Sequence, residues 1–370
     1  MAKDPKSETP GKSELHMRGA RSFMQGRFET VARESFDDGW TPEEKEEERP
    51  LETQVTIERA RSIVSHNDSP DVGFDSSINP YRGCEHGCIY CFARPSHAYL
   101  ELSPGLDFET KLYAKTNAAE LLRAELARPG YQCTPIALGA NTDCYQPIER
   151  KYRITRQILE VLAECNHPVT LVTKSALVER DLDILGPMAE KNLVRVFVSI
   201  GTLDRELARK LEPRAASPQR RLDVLRALSG AKVPCGVMVA ALIPALNDKT
   251  MEHVLEAASQ AGAAEAAYVI MRLPNELKDL FKEWLAEHYP DRAEHVISIV
   301  HQMRGGKDND PRFGTRMTGL GNYADLIAKR FEIACRKYAL NGHGAGRRRP
   351  GLDCTLFRPP SRNPGQLVLL

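Results

Sequence analysis

Apolar residues fall in six short runs, near residues 75–81, 135–139, 169–173, 194–200, 234–243 and 266–273. The third run reads Val169, Thr170, Leu171, Val172, Thr173, β-branched at four of its five positions. Runs of this kind predict strands buried on both faces. Between them, apolar positions recur at helical spacing over 117–128, 155–165, 182–191, 218–231 and 250–262. Strands alternating with helices of this length predict βαβ units on a parallel sheet. Right-handed crossovers would wind the six units into an α/β fold, a partial (β/α)6 barrel. Helical patterns over 275–289 and 295–303 follow the last run.

The expected organisation has four parts. Residues 1–50, rich in Lys, Glu, Ser, Gly and Pro and holding the acidic run 43–48, cannot bury much apolar surface and read as a mobile extension. Residues 51–275 form the barrel with its lead-in. Residues 276–341 form a helical extension. Residues 342–370, with Arg347, Arg348, Arg349 and several prolines, form an irregular tail.

Ligands of parallel barrels gather at the C-terminal ends of the strands. Those ends carry polar groups here. Asn141, Thr142 and Asp143 follow the second run, and Lys174 and Ser175 the third. Ser199 and Thr202 close the fourth, the turn 243–248 (Ile-Pro-Ala-Leu-Asn-Asp) the fifth, and Arg272 the sixth. The first run leads into Gly83, Cys84, Glu85, His86, Gly87, Cys88, Ile89, Tyr90, Cys91 and Phe92.

That stretch holds three cysteines spaced C-x3-C-x2-C. A structural zinc site closes with four protein ligands, and a ferredoxin-type cluster takes four cysteines. Three thiolates leave one iron of a [4Fe-4S] cluster open for chemistry. The competing reading is a structural zinc site completed by His86 or His97. The other six cysteines, Cys133, Cys144, Cys165, Cys235, Cys335 and Cys354, are expected to be small buried hydrophobes. Cys144 is kept as a catalytic candidate because it adjoins Asp143. No second C-x2-C pair occurs, which argues against an auxiliary cluster.

Composition narrows the partners. Net charge is +1, from 51 Lys and Arg against 50 Asp and Glu, so no global field draws nucleic acid. No apolar run reaches the roughly 18–20 residues that span a bilayer. Residues 1–12 are polar, and nine cysteines without an apolar leader point to a reducing, cytoplasmic setting.

The motif Cys84, Cys88, Tyr90 and Cys91 resembles that of the radical S-adenosylmethionine (SAM) superfamily. The string 79–84 (Asn-Pro-Tyr-Arg-Gly-Cys), Thr142 with Asp143, Lys174 with Ser175, and the turn 243–248 resemble its spore photoproduct lyase branch, nearest to uncharacterised bacterial relatives. The resemblance spans about residues 75–275. It implies a [4Fe-4S] cluster on Cys84, Cys88 and Cys91, SAM on the open iron, and a 5′-deoxyadenosyl radical that abstracts hydrogen from a substrate. It also implies that Tyr90 contacts adenine and that Asn141, Thr142 and Asp143 stand near the SAM amino group. Lys174 would meet the SAM carboxylate, Ser199 the ribose, and Glu212 and Arg214 the ribose or carboxylate. A flavodoxin or ferredoxin would supply the electron. Arg220 and Arg221 could serve in place of Glu212 and Arg214 but are read first as a solvated helix face, and Arg272 as either a substrate contact or a surface residue.

Spore photoproduct lyase carries a hydrogen-donating cysteine just before its Thr/Ser-Asp pair. Ala140 takes that place here, and Phe92 stands where that enzyme has a second tyrosine. Nucleic-acid repair is therefore the alternative and not the leading expectation. A non-catalytic metal-binding protein is the second alternative.

Overall fold

The computed structural model describes residues 18–29, 51–343 and 351–360; the acidic run 43–48 and arginines 347–349 lie outside the described residues. Its strands are β1 (Gln54–Glu58), β2 (Val64–His66), β3 (Ser76–Ile78), β4 (Tyr81–Arg82), β5 (Lys111–Lys115), β6 (Ile136–Leu138), β7 (Val169–Thr173), β8 (Val194–Ser199), β9 (Cys235–Leu242) and β10 (Glu265–Ile270). All six expected strands are present, as β3 and β6 to β10. They lie side by side in chain order with parallel pairing, and β2 caps the β3 edge antiparallel. Among the described residues β10 does not pair back to β2 or β3, so the barrel is partial.

The register explains the core. Ile78, Leu138, Leu171, Val196 and Cys235 align across five strands, and each is almost fully buried. Burying an aliphatic side chain of this size contributes about 1.5–3 kcal/mol. Each crossover helix presents one apolar face to this layer. The helix Ile154–Glu164 buries Ile154, Ile158, Leu159, Val161 and Leu162, the spacing its sequence predicts. The helix Pro218–Gly230 starts sharply, with Pro218 in its first turn and the Ser217 hydroxyl accepting from Arg220 N.

Three features differ from the sequence expectation. Strand β10 ends at Ile270 instead of 273, because Ile270 N donates to Met317 O (2.9 Å) and the ladder shifts register there. The second extension helix, Pro290–Met303, begins five residues before 295, with Pro290 as its first residue. A third helix, Gly321–Lys337, lies within the expected helical extension but beyond the two helical patterns named for it; Ala324, Ile327, Ala334 and Cys335 form its buried face. No helix among the described residues is long and apolar enough to cross a membrane.

Two additions support the cysteine loop. A small sheet, ordered β1-β5-β4, ends in Tyr81 and Arg82, immediately before Gly83. A second core packs Leu277, Phe281, Trp284 and Val300 of the C-terminal extension with Cys88, Ile89, Tyr90, Ile243 and Leu246. Residues 18–29 also pack here, contrary to the mobile reading of that stretch. Arg18, Ala20 and Ser22 are buried, and Gly19 lies against the loop.

Candidate functional site

The cysteine loop leaves β4 at the C-terminal end of the barrel and is pinned at nearly every turn. Cys84 N donates to Phe108 O (2.9 Å), and Ile89 N to Leu211 O (3.0 Å). Gln146 accepts from Glu85 N and donates to Gly83 O, at 2.9 and 3.0 Å. Arg94, wholly buried, donates to Cys88 O and Gly87 O and pairs with the equally buried Glu109. Glu109 in turn accepts from Gly19 N and Ala20 N, at 3.0 and 2.8 Å. Glycine is required at two of these contacts. A Cβ on Gly87, whose φ is +65°, would sit 2.6 Å from Glu109 Oε2, and one on Gly19 would sit 1.7 Å from Gly87 O.

The three cysteines share this loop. Cys84 and Cys88 are buried and Cys91 is half-buried. Burial pushes the Cys84 thiol well up, and charge on Asp143, Cys88 and Cys91 pushes it further. Burial also lifts Cys88 to about 12, opposed by Lys174 and reinforced by Glu212 and Cys91. Three thiolates this close repel one another unless a cationic centre neutralises them, so the donor set fits a metal cluster. Among the described residues no three His, Cys, Asp or Glu side chains are grouped as ligands of a single metal ion. A cubane differs in that each cysteine binds a separate iron.

Behind the loop lies a charged network. The Tyr90 phenol donates to Glu212, which also pairs with Arg221. Arg221 donates onward to Ser199 O (2.9 Å) and Ala216 O (2.7 Å). Burial alone would raise the Glu212 carboxyl, but the charges of Arg221 and Lys174 hold it below its usual range. Lys174 follows β7, and its ammonium lies 5.8 Å from the Tyr90 ring centroid. Burial acts to lower the Lys174 ammonium, yet the Cys88 and Glu212 charges raise it overall, so it stays charged. Among the described residues no carboxylate forms an ion pair with it.

Asp143 takes a different place from the one expected. Its carboxylate accepts from Lys174 N (2.7 Å), Thr173 Oγ1 (2.8 Å) and Tyr145 N (2.8 Å), with His86 Nδ1 at 3.3 Å. Burial raises this carboxyl, but His86 and those hydrogen bonds outweigh burial and bring it to about 2. Asp143 thus clamps the cysteine loop to the start of the Lys174 turn. His97 is also engaged, through Lys111 O at 2.9 Å.

The remaining candidates divide. Asn141 is exposed and Thr142 buried; their backbone N–H groups converge on Asn79 Oδ1 at 2.8 and 3.3 Å. The Ser199 hydroxyl donates to Ala240 O (3.1 Å). Glu212 supports Tyr90 as described, and Arg214 pairs with Glu85 (3.0 Å), so both lie behind the loop. Cys144, kept as a candidate at the mouth, is wholly buried in the main core cluster beside Tyr145. Arg221 is not on a solvated face; it is 1% exposed. Arg220 is on the exposed face, paired with Glu179. Sequence reasoning missed Arg94, Glu109 and Gln146. Arg221 had a legible signal, since it stands at helical spacing with Val224, Leu225 and Leu228.

Comparison with known proteins agrees with this arrangement. The radical SAM superfamily model matches residues 78–258. An uncharacterised protein of Mycobacterium tuberculosis is 39% identical over 271 residues, 73% of this chain and 76% of its own length. An uncharacterised protein of Methanocaldococcus jannaschii is 23% identical over 246 residues, 66% of this chain and 88% of its own. The chain belongs to the radical SAM superfamily and is an enzyme of that class. Its fold is also that of spore photoproduct lyase. The structure of that enzyme complexed with dinucleoside spore photoproduct superposes with a TM-score of 0.54 at 18% identity, over 77% of this chain and 78% of the other. A mutant of it with bound AdoMet gives a TM-score of 0.51 at the same 18% identity and coverage.

Proposed function

We propose that Cys84, Cys88 and Cys91 hold a [4Fe-4S] cluster whose open iron takes SAM, and that the enzyme uses them to abstract hydrogen from a substrate. The observation that carries the reading is the charged Lys174 ammonium, over Tyr90 and beside Cys88, without a carboxylate ion pair among the described residues. When bound, the cluster and SAM supply an electron and a sulfonium C–S bond to break, giving methionine and a 5′-deoxyadenosyl radical.

The chain's own residues bind and orient. Lys174 meets the SAM carboxylate as a charge-assisted contact. Tyr90 offers its ring to the adenine, held at a fixed angle by Glu212 and Arg221. Asn141 and Thr142 line the approach to the SAM amino group. Asp143 positions the Lys174 turn and His86. Ser199 keeps lone pairs for the ribose, because its own proton goes to Ala240 O. Arg214 and Glu85 brace the loop from behind. A flavodoxin or ferredoxin delivers the electron.

Anaerobic reconstitution tests the reading. About four irons per chain, lost on replacement of any of the three cysteines, are expected. A colourless protein with one zinc would overturn it.

A further inference from the structure

Three arginines meet at the C-terminal end of β10, and their partners are unequal. Arg304 donates to four carbonyls: Ile270 O (3.4 Å), Met271 O (3.0 Å), Thr315 O (3.0 Å) and Arg316 O (2.8 Å). Arg316 pairs with Asp71 at 2.5 Å. Among the described residues Arg272 forms no ion pair with a carboxylate. Its Nε is buried without an acceptor among the described residues, and its Nη1 reaches only the Met317 sulfur, at 3.9 Å. Burial and then the neighbouring Arg316 both disfavour its charge, opposed only by Asp71 at longer range.

A buried donor left without an acceptor costs free energy, and such a group in a native structure calls for a reason. The position supplies one. The Arg272 guanidinium lies 5.8 Å from the ring centroid of Phe92, the residue after Cys91, and Phe92 is 47% exposed. Arg272 therefore faces the same mouth as the cysteine loop. It does not duplicate Lys174, because β10 and β7 are separated by β9 and β8. At the usual strand spacing that is about 14 Å along the sheet.

We propose that Arg272 binds an oxyanion of the substrate, a phosphate or a carboxylate, with Arg304 fixing the backbone behind it and Phe92 flanking the bound group. The substrate is thus anionic, and its charge anchors it on the β10 side of the mouth while SAM occupies the β7 side. A guanidinium suits this task because it donates two parallel N–H groups to an oxyanion. The inference rests on the radical SAM reading of the mouth.

The test uses the reconstituted full chain, without SAM and without turnover, so its outcome and that of cluster loading are read separately. Inorganic phosphate and acetate are titrated at constant ionic strength, and the melting temperature is followed, since a ligand that binds only the folded state raises it. Phosphate is expected to raise it in the wild type and not in Arg272→Gln, with Arg272→Lys intermediate. A shift with acetate alone assigns the site to a carboxylate. In wild-type protein, phosphate should also protect Arg272 from phenylglyoxal, which covers the case of a variant that folds poorly. No shift and no protection with either anion overturns the proposal. So does an equal shift in wild type and Arg272→Gln. In a separate SAM titration of the two proteins, a tenfold or greater loss of SAM affinity in Arg272→Gln would assign the residue to SAM instead and equally overturn it.

Discussion

The Lys174 ammonium stands 5.8 Å from the centroid of the Tyr90 ring on the cysteine loop. Tyr90 cannot swing away, because its phenol is tied to Glu212, which is tied to Arg221. Strand end, cysteine loop and crossover helix are thereby joined in one charged network. Lys174→Ala removes the only member of that network whose charge is not taken up by a protein ion pair among the described residues. A buried hydrogen bond to a charged group contributes about 1.5–3 kcal/mol, so SAM should bind roughly 10–100-fold more weakly. Equilibrium dialysis of reconstituted protein against labelled SAM measures this, with iron content followed in the same samples. Unchanged affinity would remove Lys174 from the SAM site.

Glu212 and Arg221 form a buried pair, 5% and 2% exposed at their side chains. Removing one partner of such a pair leaves a charge stranded away from water. Glu212→Ala should therefore destabilise the apoprotein by about 3–5 kcal/mol. The double variant Glu212→Gln with Arg221→Met should recover much of that loss, because no net charge remains buried. Urea denaturation midpoints of the three proteins decide it. Equal stability of the single and double variants would show that charge pairing is not the reason for the loss.

The contact between Gly19 and Gly87 ties the N-terminal segment to the cysteine loop. A methyl at position 19 would meet Gly87 O at 1.7 Å, and backbone cannot yield that far without moving. Gly19→Ala should lift residues 18–29 from the loop and break the bonds from Gly19 N and Ala20 N to Glu109. Faster amide exchange in the loop is expected by hydrogen–deuterium exchange, together with lower iron content after reconstitution. Exchange indistinguishable from wild type would mean that the segment is not part of the site's scaffold.

Much of this was legible in the chain. The six core strands show as apolar runs because β3 and β6 are buried at every position and β7 to β10 bury one face and half-bury the other, and that burial is written directly into composition. The cysteine loop shows because thiol spacing is local. What was not legible depends on distance in the fold. Strand β1 mixes exposed and half-buried positions, and β5 buries only Leu112 and Ala114 between lysines, so neither reads as a core strand. Arg94 and Glu109 each look like an ordinary surface charge; only loop closure puts both at 0% exposure. Asp143 was placed correctly at a strand end, but its sequence position could not say which way the carboxylate turns. It turns inward, to Lys174 N and Thr173. Arg221 was misread by following its neighbour Arg220 instead of the helical spacing that puts it with Leu225 and Leu228.

The central claim is that three cysteines on one loop make this chain a SAM-cleaving radical enzyme. Anaerobic incubation of the reconstituted protein with SAM and dithionite, followed by quantification of 5′-deoxyadenosine, tests it most directly. The wild type should form 5′-deoxyadenosine and methionine together, and Cys88→Ala should form neither. A wild-type protein that carries its full iron complement and still forms no 5′-deoxyadenosine would contradict the account.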